Sequence, residues 1–286
     1  MQVEHFIQSF SNRFLDSLNL KISLIGEADF FVLLFWLIFY FKGRKDALGA
    51  GSIFYFSNAG NAVLKEIFRV PRAFGQLDIR VVGASEISGY SFPSGHVQNT
   101  ATMAGILSSK TARKVWKITL GVIVFLVAFS RIYLGAHTIW DVIGGTLAGY
   151  GIAFFGAYIF EKRECTKKEW VLLIFPGILL VSMFLQKIPR LYTSSMLCMM
   201  LIIGYYLEIK FFHSYYFKSV VAKIIGCVLS VGLFRYVNEL SSSLGESTSW
   251  GYLLRGFIPG VFLGIVVPVV NVGIVLFFQK VLHKKI

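Results

Sequence analysis

An all-α, polytopic transmembrane bundle of about nine spans, led by an N-terminal interfacial amphipathic helix, is the architecture the sequence predicts. Three observations carry it. Hydrophobic residues make up 56% of the 286-residue chain and charged residues only 15%, whereas a soluble domain is roughly half apolar and about a quarter charged. Apolar runs, each near the ~20 residues that cross a ~30 Å hydrocarbon core, recur from residue 24 to the end. Lys and Arg gather in every second connection between those runs, the pattern that orients a multi-pass protein.

In chain order, residues 5–20 place Phe6, Ile7, Phe10, Phe14, Leu15 and Leu18 at three- to four-residue spacing among polar side chains. This predicts an amphipathic helix lying in the membrane interface. Spans are expected at 24–41, 47–68, 94–109, 115–134, 138–160, 169–186, 191–208, 219–237 and 252–279. The third is short and polar (Ser94, His96, Gln98, Asn99, Thr100, Thr102) and belongs inside the bundle rather than against lipid. Gly145 and Gly149 form a small-residue step suited to close helix packing. Three regions are expected: an interfacial helix at 1–22, a core at 23–162 that carries all the chemistry, and a further bundle at 163–286.

The net charge of +13 falls mostly in short loops, around Lys42, Arg44 and Lys45, then Lys110 to Lys117, Lys162 to Lys168, Lys210 and Lys218, and Lys280 to Lys285. Such charges read as cytoplasmic topology signals rather than a nucleic-acid surface. No nucleic-acid partner is expected, and the loops at 69–93 and 131–137 should face outward across the cell membrane. Cys165, Cys198 and Cys227 are far apart and imply neither a disulfide framework nor a zinc site. His5, His213 and His283 lack partner spacing.

Three segments carry chemistry. His137 and Asp141 stand four residues apart, on one face of a helix, where a carboxylate orients an imidazole. Arg131 precedes them, and a planar guanidinium suits bidentate phosphate binding. Pro93-Ser94-Gly95-His96 opens a helix whose N-terminal amides favour an anion, with His96 as a proton carrier. Lys65 and Arg72 flank a helix end, and Arg69 is a further candidate contact. Each segment alone also has a plainer reading, as a helix cap or as basic residues snorkelling at a membrane boundary.

Jointly, the three resemble the type 2 phosphatidic acid phosphatase superfamily, whose signature is K-x6-RP, PSGH and SR-x5-H-x3-D. The second and third motifs are complete here. The first has Lys65 and Arg72 at the right spacing, with Ala73 in place of the following Pro. The resemblance covers about residues 24–160. It implies that His137 is the nucleophile, forming a phosphohistidine with Asp141 as its orienting partner. His96 would protonate the leaving group and then activate water. Lys65, Arg72, Arg131 and the backbone N–H groups of Ser94 and Gly95 would bind phosphate, with Ser130 adding a hydrogen bond or capping a helix. Neither metal nor cofactor is expected, since no carboxylate cluster suits a cation. The substrate implied is a lipid phosphate or diphosphate such as undecaprenyl diphosphate, phosphatidate or phosphatidylglycerol phosphate. Transfer to an acceptor other than water, and a non-enzymatic lipid-binding or transport role, are the alternatives.

Overall fold

The computed structural model describes residues 2–72, 79–83, 89–161, 189–212, 219–243 and 249–274. Every regular element among them is helical. They are α1 (Gln2–Ser9), α2 (Arg13–Ser23), a 3-10 turn (Leu24–Gly26), α3 (Ala28–Phe41), α4 (Arg44–Phe68), α5 (Gly95–Ser109), α6 (Lys114–Tyr133), α7 (Ile139–Glu161), α8 (Pro189–Leu207), α9 (Val220–Ser243) and α10 (Ser249–Val261). One π turn, Glu208–Phe212, continues α8, and another, Phe262–Val266, continues α10, whose Pro259 removes one donor from the helical ladder.

Among the described residues, five segments are long and apolar enough to cross a membrane: Lys114–Tyr133, Ile139–Phe160, Leu191–Phe211, Val220–Ser243 and Gly251–Ile274. A sixth arises if Arg13–Gly26 and Ala28–Phe41, which meet at a 53° bend, form one broken span. Helix α5, at 15 residues, is only about 22 Å long, and α4 carries Ser52, Ser57, Asn58 and Asn61 along its length. The span expected at 169–186 lies outside the described residues, as do Ala73, Cys165, His213 and His283.

The single amphipathic helix expected over 5–20 is two helices. Asn12 breaks it: its backbone is extended, and its side chain accepts from Leu15 N at 2.9 Å and caps α2. The apolar stripe survives the break, with Phe6, Phe10, Phe14 and Leu18 all exposed, which suits a membrane interface.

The structure forms two compact units, Met1–Phe31 with Ser57–Tyr158, and Val32–Phe56 with Ile159–Ile286. The chain crosses between them within α3, α4 and α7. In the first unit, Val97, Ala101 and Ala104 of α5 pack on Val124, Val127 and Ile132 of α6 and Val142 of α7. Ile22 and Ile25 cover this cluster. The polar side chains of α5 are buried here with partners. Gln98 Nε2 donates to Ser57 O and Oγ (2.8 and 3.0 Å), Asn61 Nδ2 donates to Gln98 Oε1 (2.8 Å), and Ser57 and Thr102 share a hydroxyl hydrogen bond (2.8 Å). That network is why so polar a helix can stay away from water. The glycine step packs as expected: a Cβ on Gly145 would sit 2.7 Å from Ser94 O, and one on Gly149 would sit 2.7 Å from Ala101 Cβ.

In the second unit, Gly256, Gly260 and Gly264 bring the last helical stretch against Thr193, Met196 and Met200 of α8. Arg44, expected in a cytoplasmic loop, is instead buried (1% exposed). It donates to Glu208 Oε2 at 2.9 Å and to Asn271 Oδ1 at 3.1 Å. A guanidinium out of water needs a countercharge and further acceptors; Glu208 supplies the charge and Asn271 a neutral acceptor.

Candidate active site

All the predicted site residues lie in the first unit. Two chain reversals build their setting. Helix α6 ends at Tyr133, and Gly135 then takes φ +71°, a conformation that favours glycine. The turn closes through Ala136 N and His137 N, both donating to Arg131 O (3.1 and 3.3 Å). Arg131 and His137, six residues apart, thereby share one tight loop. Helix α7 starts two residues later, and Thr138 N donates to Asp141 Oδ2 at 2.8 Å, a carboxylate placed at a helix N-terminus.

His137 and Asp141 are 5% and 1% exposed. His137 Nδ1 stands 3.5 Å from Asp141 Oδ2, an electrostatic contact longer than a well-formed hydrogen bond. Ser91 Oγ donates to the same carboxylate oxygen at 2.6 Å. Burial pushes the His137 imidazole down to about 4, opposed by Asp141 and reinforced by the nearby charges of Arg131 and Arg72. Burial beside two guanidinium groups favours the neutral imidazole, the form a nucleophilic histidine would need.

The cations approach from two directions. Lys65 Nζ donates to Tyr90 O (2.6 Å) and Ser91 O (3.0 Å), bracing the stretch that delivers Ser91 to Asp141. Arg72 Nη1 donates to Ala136 O at 2.9 Å, next to His137, and its Nε donates to Gly89 O at 3.0 Å. Arg131 Nη1 donates to Ser23 Oγ at 2.6 Å.

Helix α5 enters between these groups. Ser94 N donates to Asp141 O at 2.9 Å, so the backbone donor expected to face phosphate is already engaged. What Ser94 offers instead is its hydroxyl, which is buried without a hydrogen-bond partner. Helix α5 begins at Gly95, and its first N–H groups have no intrahelical acceptor. His96 sits half-buried in that first turn.

Two further candidates point elsewhere. Ser130 Oγ, fully buried, donates back to Val127 O at 2.7 Å, which leaves its proton within α6 rather than at a phosphate or a cap. Arg69 has φ +47°, and its Nε donates to Glu66 O at 3.0 Å while its side chain is 60% exposed. It folds back on the end of α4.

Four residues near the site carry no motif signal. Ser91 and Thr138 hold Asp141, Ser23 holds Arg131, and Glu4 Oε1 accepts from Ile139 N at 3.2 Å at the head of α7. Ser91 lies only two residues before Pro93 and was within reach of a sequence reading. Ser23 and Glu4 are more than 100 residues from their partners and gave no signal. Among the described residues, no group of three or more His, Cys, Asp or Glu could hold a metal ion.

Comparison with known proteins identifies the family and several relatives. A family model described as the PAP2 superfamily fits residues 46–165. Phosphatidylglycerophosphatase B of Bacillus subtilis is 32% identical over 157 residues, which is 50% of this chain and 73% of that protein. An undecaprenyl-diphosphatase of Sulfolobus acidocaldarius is 29% identical over 137 residues, 48% of this chain and 66% of its own length. A crystal structure of a transmembrane PAP2-type phosphatidylglycerolphosphate phosphatase from Bacillus subtilis superposes with a TM-score of 0.50 at 27% identity, covering 58% of this chain and 86% of that one.

Proposed function

This chain belongs to the PAP2 superfamily, and on that premise we propose that it is a membrane lipid phosphatase working through a phosphohistidine at the outer face of the cell membrane. The observation that carries the reading is His137. It is buried and neutral, with Asp141 behind Nδ1 and the charges of Arg72 and Arg131 nearby. Asp141 keeps the proton on Nδ1, so the Nε2 lone pair is free to attack phosphorus.

The reaction then runs in two displacements. Nε2 forms a bond to phosphorus as the phosphorus–oxygen bond to the lipid breaks, and His96 gives its proton to the departing oxygen. His96 next takes a proton from water, which attacks phosphorus. The nitrogen–phosphorus bond breaks, and inorganic phosphate leaves. Arg72, Arg131, Lys65 and the first amides of α5 neutralise the charge that shifts onto the equatorial oxygens, which is the main demand of phosphoryl transfer.

The substrate class is a lipid phosphate monoester or diphosphate. The relatives named for phosphatidylglycerol phosphate and undecaprenyl diphosphate support trying those two first, with phosphatidate third. Basic connections on alternate sides support an outward-facing site. Helices α4 and α5 and the run at 169–186, which lies outside the described residues, are the remaining spans of the nine expected.

Phosphate release from these three lipids by the purified protein, with a chelator present and His137→Ala as control, tests the reading. Release that disappears in the variant supports it. A folded wild type that releases no phosphate from any of them would sink it.

A further inference from the structure

We infer that the short corner Ser23-Leu24-Ile25-Gly26, outside all three motifs, is a fourth element of the active site that positions Arg131 and His96. The inference rests on the phosphatase reading of those two residues. Ser23 is buried, and its hydroxyl accepts from Arg131 Nη1 at 2.6 Å. A guanidinium held on one edge presents its remaining N–H groups in a fixed plane, as bidentate phosphate binding requires.

Three residues on, Gly26 lies against the first turn of α5. A Cβ there would stand 2.7 Å from His96 Cβ, 2.8 Å from His96 O and 2.9 Å from His96 Cα. Gly26 O accepts from Asn99 Nδ2 at 3.0 Å, one helical turn beyond His96. The corner is anchored independently of either contact, because Ile22 and Ile25 pack on the core that α5, α6 and α7 share. One rigid turn thus touches the phosphate-binding arginine with a hydroxyl and the proton-carrying histidine with bare backbone. Neither contact needs a charge or a nucleophile, so no motif reveals it. Ser23 and Gly26 are positioning residues: they act on the reaction through Arg131 and His96.

The test compares wild type with Ser23→Ala, Ser23→Thr and Gly26→Ala, reading kcat, KM, thermal stability and the affinity for vanadate, an anion shaped like the transferring phosphoryl group. Ser23→Ala should weaken vanadate binding and lower kcat/KM by about ten- to a hundredfold, the scale of one hydrogen bond to a charged group. Ser23→Thr, which keeps the hydroxyl, should restore most of both. In an Arg131→Ala background, Ser23→Ala should add little, since the two act as one unit. Gly26→Ala should lower kcat more than vanadate affinity, because it displaces the proton carrier.

An active wild type whose Ser23→Ala form keeps its kcat/KM and vanadate affinity would overturn the inference alone. So would losses that add fully to those of Arg131→Ala, or that merely follow a fall in melting temperature without rescue by threonine. A wild type that neither releases phosphate nor binds vanadate would overturn the phosphatase reading and this inference with it.

Discussion

His137 Nδ1 lies 3.5 Å from Asp141 Oδ2, at the edge of hydrogen-bonding range, while the same oxygen accepts from Ser91 Oγ at 2.6 Å and from Thr138 N at 2.8 Å. The carboxylate is therefore fixed by two neutral donors before it meets the imidazole. Its charge stays directed at His137, and its position does not depend on His137.

Replacing Asp141 by Asn should leave that anchoring largely intact and remove the charge that selects the His137 tautomer. Phosphate release should fall by up to about 10⁴-fold, the loss seen when a catalytic histidine's orienting carboxylate becomes an amide. Steady-state kinetics with a lipid phosphate checks this, and a loss below tenfold would contradict the assigned role.

Ser91→Ala removes one of the two anchors. Activity should drop by about tenfold, near the value of one hydrogen bond to a charged group, and the melting temperature should change little. A variant with unaltered kcat would mean that Thr138 N alone is enough to hold Asp141.

The acid limb of kcat/KM should reflect His137 at about 4 rather than at the usual 6.5. Burial lowers it, Asp141 raises it, and Arg131 and Arg72 lower it again. Arg72→Ala should therefore move that limb upward in pH, besides weakening substrate binding. The same shift sets a stability dependence. Between about 6.5 and 4 the unfolded chain binds a proton at this position that the folded protein does not, so stability is complete above that window and falls as pH drops through it. Thermal melts of wild type and His137→Gln from pH 7 to 4 should show the variant losing less.

Gly145→Ala should cost about 1–3 kcal/mol, as overpacking in a close-packed interior does. The added methyl would meet Ser94 O at 2.7 Å and Gln98 N at 3.3 Å and would push α7 off the turn that bears His96. Lower thermal stability together with lower kcat is the expected result. Gly151, which has open space around its Cβ position, is the control that should tolerate alanine.

Much of the fold was legible because a membrane imposes its period and length on the sequence. The apolar runs at 115–134 and 138–160 became α6 and α7 to within a residue or two, and the polar run at 94–109 was rightly placed inside. The N-terminal stripe was read correctly, but its break was not, because the amphipathic spacing continues across Asn12 while the helix does not. Arg44 was misplaced for a related reason. A cation beside Lys42 and Lys45 looks like a loop charge until Glu208, 164 residues away, is seen against it.

The site divides along the same line. The proposed bond chemistry requires a nucleophile, a proton carrier, a carboxylate and cations, and these residue types at fixed local spacing mark His137, His96, Asp141, Lys65, Arg72 and Arg131 as the candidates in the sequence alone. What holds them does not need to be chemically distinctive. The hydroxyls of Ser23 and Ser91, the carboxylate of Glu4 and the bare backbone of Gly26 act through hydrogen bonds and close contact that depend only on where the chain is brought back on itself. The sequence by itself determined the membrane-length helices and marked the candidate reacting groups, since apolar length and side-chain chemistry are local properties. Only the tertiary structure decided which serine steadies which charge, that Ser94 gives its amide to Asp141, and that Ser130 and Arg69 turn away, because those outcomes are set by contacts between distant segments.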